Sequence, residues 1–519
     1  MSLLPLLGLA LFQDAPSDDD PRHDALRYTV ELRVNPEAGE GEEFLSGRVD
    51  YIFKAREDLD EVHLDSVTGP LWKPEFKQGD ATLKAAWEGD KVTVGLTRPV
   101  KAGEEFRFSA FLSGRPPHGF LFGKNRHGQP TAWTDHFSIR ARGWLPCEDN
   151  PADRAIFRTV LHHHGKTRAV ASGVPENGVW SQAGPDGWKT ISRTTEAEIP
   201  PYLYAIGVGP WEEIAEEGDP RLRPHFVWAR DKPKARRGLL HHAAWMKTME
   251  RTFGPYSYGK YMVVQVPTRW GGMENAGNTW LMERIFDAPG RGVGTMAHEF
   301  AHQWFGDAVG YAAWKEVWLS EGFASYFGPW LHASTGGPPL DRSLEGMRRR
   351  WLGSREGRTL PVRWGGYSHP DSALNTNTYP KGAWVLHMLR GEVGDEAFFS
   401  GIRSWHLAHR GTAVNTSTLR KAVEKTSGKE LGWFFSQWLD QPGCPELAFA
   451  WEENAVTVVQ KGSGDPWRFR LRLRWTGTDG EIREKVFPIH EAETRIPLEG
   501  GPIKTPVVDP GVELLWRKA

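Results

Sequence analysis

His298 and His302 are the ends of the pentapeptide His298-Glu299-Phe300-Ala301-His302, and eighteen residues separate the second histidine from Glu321. On a helix, positions i and i+4 share a face. Both imidazoles can therefore reach one ion from one side. The intervening glutamate projects from the next position and can touch a water on that ion. A carboxylate arriving from a second helix makes two histidines, one carboxylate and an open position. That is the ligand set of a catalytic zinc site, not of a closed structural one.

The surroundings strengthen this reading. Met296, Ala297, Phe300, Ala301, Trp304 and Phe305 predict a helix apolar on nearly every side, and so buried. Two histidines and a glutamate on such a helix need partners, because unpaired polar groups are costly away from water. Trp318 to Phe327 (WLSEGFASYF) sets Glu321 among aromatics, where a lone charge would be equally expensive. A pair of satisfied core histidines is the bland alternative, and Glu321 weighs against it. Upstream, Tyr261 to Pro267 reads as a strand, and Gly271-Gly272-Met273-Glu274-Asn275 follows it. Paired glycines let a backbone approach another chain closely. Glu274 there could hold the positive amino terminus of a peptide, although read alone it is a solvated glutamate in a Gly-rich turn.

These motifs resemble those of the zinc aminopeptidases of the alanyl-aminopeptidase and leukotriene-hydrolase superfamily, a branch of the gluzincins. The resemblance runs through GGMEN at 271–275, HEFAHQWFGD at 298–307, WLSEGFASY at 318–326 and YPKGAWVLHML at 379–389. It extends to RGWLPCEDNPADRAIF at 142–157, PPYLYAIGVGPWE at 200–212 and WFFSQWLDQPGCPEL at 433–447, in family order. It implies His298, His302 and Glu321 as ligands of one zinc per chain, with Glu299 as general base. Gly271, Gly272, Met273, Glu274 and Asn275 would bind substrate, Glu274 through its free α-amino group. Tyr379 would stabilise the oxyanion; read without the family it is a core or surface aromatic. Two departures stand out. Ser320 replaces the family's usual asparagine before the third ligand. Where the family brings a glutamine or glutamate from the N-terminal domain, this chain reads Trp133 to Ser138, with Asp135 as the candidate.

The resemblance implies a multidomain α+β fold: an N-terminal antiparallel β-saddle, a thermolysin-like and mostly helical catalytic domain, and a small C-terminal β-sandwich. The 519 residues exceed what one core usually spans. Period-2 runs such as Tyr28 to Val34 and Lys91 to Leu96, punctuated by turn residues, predict an antiparallel β domain over 25–212. Helical patterns dominate the catalytic stretch, placed at 213–443. Short strands return over 444–519, where Arg468 to Trp475 alternates arginine with apolar residues, one face wet and one buried. Long family members carry a further helical domain that roofs the cleft. Only 79 residues follow Asp440 here, so the expectation is a more open cleft, or one covered by another subunit.

A net charge of −2, with 39% hydrophobic and 25% charged residues, is that of an ordinary globular protein and gives no sign of nucleic acid. Arg348-Arg349-Arg350 reads as a solvated helix face. Cys147 and Cys444, far apart, suggest neither a disulfide framework nor a cysteine zinc site. His162-His163-His164 follows a strand-like run, in which consecutive residues face opposite ways, and reads as strand rather than as a second metal site. Leu3 to Phe12 is apolar but too short to span a membrane. With residues 1–24 as signal peptide and flexible terminus it points to a periplasmic or secreted protein, and otherwise to a cytoplasmic one. No transmembrane segment is expected, and nothing in the sequence sets the oligomeric state.

The functional expectation is a zinc-dependent aminopeptidase acting on peptides with a free amino terminus. A zinc endopeptidase or lipid-epoxide hydrolase on the same scaffold, or a catalytically silent binding protein, are the alternatives. Glu274 favours exopeptidase work, and intact Glu299 and Tyr379 weigh against a silent site.

Overall fold

The computed structural model describes residues 22–39, 42–462 and 464–519. The apolar run 3–12, and with it the export reading, lies outside them. The first third of the chain folds as sheets because its apolar residues recur at every second position. Strand β1 (His23–Val34) lies between β2 (Leu45–Ala55), antiparallel, and β4 (Ile156–His164), parallel. β3 (Glu105–Gly114) extends the sheet beyond β2. A second sheet contains β5 (Arg168–Ala171), and β6 (Trp188–Thr194) pairs with β4 in the first. Stacked aromatics join the two sheets: Tyr28 on Phe157 at 4.8 Å, and Phe157 on Tyr204 at 4.3 Å.

The catalytic region opens with a five-stranded sheet. Its strands are β7 (Trp211–Ile214), β8 (His225–Trp228), β9 (Met262–Val266), β10 (Gly272–Met273) and β11 (Asn278–Met282). Their order is β7-β8-β9-β11-β10, so the Gly-Gly motif forms the edge strand. Helices follow: α1 (His242–Phe253), α2 (Pro289–His302), α3 (Trp318–Ser334) and α4 (Gly382–Val393). α2 contains Gly290, Gly292 and Gly294, poor helix formers that each cost about 1 kcal/mol against alanine. Its helicity rests on packing, since Met296, Ala297, Phe300 and Ala301 are fully buried.

Two helix crossings bring the motifs together, and both depend on missing side chains. A Cβ on Gly328 of α3 would lie 2.8 Å from the Cα of His298 on α2. A Cβ on Gly322 would lie 3.0 Å from the Cα of Gly382 at the start of α4. Only glycine allows backbones so close. The last strands form two small sheets, one with Glu446–Trp451 and Ala455–Lys461, the other with Phe469–Thr476 and Ile482–Ile489. In Phe469–Thr476 the apolar residues are buried, while Arg470 and Arg474 face water. Among the described residues, no helix is long and apolar enough to cross a membrane.

Candidate active site

The α2–α3 crossing sets three donor atoms in a triangle. His298 Nε2 and His302 Nε2 are 3.1 Å apart, and each is 3.3 Å from Glu321 Oε2. Zinc bonds of about 2.0–2.2 Å in a tetrahedron give ligand-to-ligand edges of about 3.3–3.5 Å, close to what is seen. The other imidazole nitrogen of His302 is oriented as a ligand requires. Its Nδ1 is 3.1 Å from the Phe305 carbonyl and 2.9 Å from Ser320 Oγ. A proton on Nδ1 leaves the Nε2 lone pair aimed at the centre of the triangle. Ser320, the residue that departs from the family pattern, thus touches the far side of a candidate ligand.

Charge at the site also fits a cation. Glu274, Glu299 and Glu321 are each about 5% exposed or less. Burial alone would push the His302 pKa down. The carboxylates of Glu274, Glu321 and Glu299 outweigh it and hold that pKa up, at about 10. Burial, and then the neighbouring carboxylates Glu274 and Glu321, raise Glu299 well above the usual carboxylate range against the pull of His302. Three buried carboxylates around two imidazoles form a donor set suited to a dication.

Other groups close around the triangle. Tyr379 sits in a π-helical turn, Asn377–Lys381, just before α4, and its hydroxyl donates to Glu321 Oε1 at 2.8 Å. Glu299 fits only because Gly272 lacks a side chain, as a Cβ there would lie 2.4 Å from Glu299 Oε1. Glu274 stands at the end of edge strand β10. Its carboxylate, one imidazole nitrogen of His302 and the Glu299 carboxylate lie within 4.8 Å of one another. Its Oε1 is buried and, among the described residues, has no hydrogen-bond partner.

The cleft above these groups has a volume of about 160 Å³. Gly271, Gly272 and Met273 line it, with Phe137, Trp270 and Leu374 adding apolar surface. Asp135 and Asn275 do not line it. The Asp135 carboxylate instead accepts from the Trp270 indole at 3.0 Å, bracing a cleft wall from behind. Asn275 is buried beyond the end of the edge strand.

Sequence reasoning missed Gln303. Its Nε2 donates to the Glu274 carbonyl at 2.6 Å, and its Oε1 accepts from Gly277 N at 2.9 Å. It ties the zinc-motif helix to the loop that carries Glu274. The available signal was a lone amide inside a buried apolar run. Phe137 was also missed, since nothing local marks a cleft wall.

A second buried cluster of one glutamate and two histidines lies behind α2. His225 Nε2 and His242 Nδ1 are 2.9 and 2.7 Å from Glu216 Oε2. His225 Nδ1 accepts from the Val263 amide at 3.0 Å. Its single proton must then be on Nε2, where it donates to Glu216, so no lone pair is left for a metal. The His162-His163-His164 run lies in β4 and alternates, with His163 buried against Thr167 Oγ1 and His162 bonded to Thr190 Oγ1.

Two crossing helices, two histidines and a glutamate in a triangle, and a further glutamate over it together define a zinc-peptidase type of centre. The chain belongs to peptidase family M1: the M1 N-terminal domain matches residues 24–203 and the family M1 domain matches residues 239–438. Membership implies zinc. A probable aminopeptidase 1 of Sulfurisphaera tokodaii is 25% identical over 84% of this chain and 55% of its own. Human aminopeptidase B is 26% identical over 73% of this chain and 64% of its own. The chain spans about half the length of several curated relatives it matches. An M1 zinc metallopeptidase variant from Deinococcus radiodurans, solved with a Tyr-Ser-Ala substrate, superposes with a TM-score of 0.66. It is 27% identical and covers 81% of this chain and 96% of its own.

Proposed function

We propose that the protein is a zinc aminopeptidase that removes amino-terminal residues from peptides, with a preference for apolar ones. The unpaired, buried Glu274 Oε1 beside the metal triangle carries this reading. A buried carboxylate with no partner calls for a cation, and the α-ammonium of an unblocked peptide supplies one. The names of its relatives and the tripeptide bound by the Deinococcus enzyme agree with it.

His298, His302 and Glu321 would hold one zinc, whose Lewis acidity makes deprotonation of water accessible near neutral pH. Glu299 takes the proton of the attacking water and returns it to the leaving amine. The Tyr379 hydroxyl, now on Glu321, turns to the developing oxyanion. The free edge of β10 pairs with the substrate backbone as an added strand would. Glu274 fixes the amino terminus so that only the first peptide bond reaches the water. Phe137, Met273 and Leu374 give the first side chain an apolar wall.

Digestion of a ten-residue peptide followed by mass spectrometry tests the reading. Single residues should leave in order from the amino terminus, and N-acetylation should stop the reaction. Glu274→Ala should lose most of the discrimination between free and acetylated substrates, about 2–5 kcal/mol. Internal cuts as first products would make the protein an endopeptidase.

A further inference from the structure

The largest cleft described above is not the roomiest space in the molecule. Between β5 and β6 of the N-terminal domain and β7, β8 and β9 of the catalytic sheet lies a cavity of about 380 Å³. It shares no lining residue with the candidate active site. Its walls carry Lys189, Arg193, Arg223 and Lys260. The one acid among them, Glu213, is taken by Arg168 at 2.6 Å. Among the described residues, none of the four cations has a carboxylate within ion-pair distance.

What these cations do touch is neutral. Lys260, 2% exposed, donates to the Ala171 carbonyl at 2.8 Å and to Asn278 Oδ1 at 2.6 Å. Arg193, 3% exposed, donates only to the backbone carbonyls of Val179, Trp180 and Ser192. Lys189 reaches the Gly165 carbonyl at 3.3 Å. Among the described residues, the Arg223 side chain has no hydrogen-bond partner, and its Nε is buried. Burial, and then the Arg193 and Arg223 charges, hold the Lys260 pKa well below its usual range. Burial likewise brings Arg193 down to about 10. Like charges gathered out of water and left without a counter-charge are costly, and an anion among them reverses the cost.

Much of the rest of the wall is apolar, beside the polar His163, Thr167 and Ser181. The Trp180 ring lies 4.7 Å from the Arg193 guanidinium and 4.8 Å from that of Arg223. Ile191, Val170, Phe226 and Met262 add apolar surface. An inorganic ion would neutralise the cations but leave most of the space wet. The volume is that of an ordinary small-molecule site, in which an apolar body fills the room and a few polar groups fix its orientation. Arg223 offers the planar fork that takes a carboxylate through two parallel bonds.

We infer that this interdomain cavity is a binding site for a small organic acid, a carboxylate carried on a flat apolar body, held by Arg193, Arg223 and Lys260.

Isothermal titration calorimetry of the whole zinc-loaded protein with 2-naphthoate, 2-naphthamide and acetate tests the inference. 2-Naphthoate should bind saturably at one site. Loss of the charged hydrogen bonds should weaken 2-naphthamide by about 10–100-fold. Acetate, lacking the apolar body, should bind more weakly than 2-naphthoate. Arg223→Met removes a guanidinium that has no hydrogen bonds to lose, so the fold should survive. It should weaken 2-naphthoate by about tenfold or more, while hydrolysis of an aminoacyl amide stays at the parent rate. Arg223→Gln, which also removes the guanidinium but keeps a polar side chain, gives a second variant should Arg223→Met not fold. Equal binding of acid and amide, equal binding of acetate and 2-naphthoate, unchanged affinity in the folded variant, or no binding up to the solubility limit would each overturn it.

Discussion

Two clusters in the catalytic region share a composition, one glutamate and two histidines, with one partly exposed member in each. One triangle is His298, His302 and Glu321; the other is His225, His242 and Glu216. They differ in what the far imidazole nitrogen meets. His302 Nδ1 faces a carbonyl and a hydroxyl, so its Nε2 presents a lone pair. His225 Nδ1 faces a backbone N–H, so its Nε2 presents a proton. Whether such a cluster can hold a metal depends on the polarity of the groups behind it, as much as on the residues that make it. The first cluster turns lone pairs towards a common centre, whereas in the second His225 gives its Nε2 proton to Glu216.

The largest effect that could break this contrast is removal of metal. A strong chelator should abolish activity and added zinc restore it, and metal analysis of purified protein should give one zinc per chain. Two per chain, with the second lost in Glu216→Gln, would place an ion at Glu216 and overturn the contrast.

Next come the groups that act on the proton and on the oxyanion. Glu299→Gln should lower turnover by about 10²–10⁴-fold while zinc content stays at the parent value. Tyr379→Phe should lower it by about 10²–10³-fold. If Glu299→Gln matched the parent, another group would be the base.

A smaller effect probes the polarity behind the ligand. Ser320→Ala removes one of the two acceptors at His302 Nδ1 and leaves the Phe305 carbonyl. Zinc affinity should fall by about tenfold, the low end for such partners. Competition with a chelator of known affinity reads it. Unchanged affinity would mean that the carbonyl alone orients the ring.

The smallest effect on activity belongs to the other cluster. Glu216→Gln should reduce stability to urea by about 1–3 kcal/mol, because His225, His242 and the Ala243 amide all donate to that carboxylate. Turnover per folded molecule and zinc content should stay at parent values. A loss of zinc in this variant would show that the two clusters are not separate.

Much of the site was legible because it is local. The i and i+4 spacing of His298 and His302 needs only a helix, and the apolar residues around them predict a buried one. The strands Tyr28 to Val34 and Arg468 to Trp475 were readable from period-2 alternation for the same reason. Glu274 was legible only through the family resemblance, since a glutamate after two glycines carries no mark of burial. Tyr379 was less visible still: its position depends on a π-helical turn and on Gly322 packing against Gly382.

The sequence alone determined which residues could ligate a metal and the order in which the motifs occur, because both follow from short-range periodicity. Tertiary structure decided which carboxylates share a space. Gly328 lets α3 approach α2, so Glu321 meets the histidines. Gln303 draws the Glu274 loop to the same place. Asp135 is turned aside by the Trp270 indole. The cationic cavity draws on residues from 163 to 262, spread over three sheets that pattern alone does not align. Side-chain periodicity is set by one helix or one strand. The distance between elements is set by how closely their backbones can pack, and the sequence reveals that only once the partners are known.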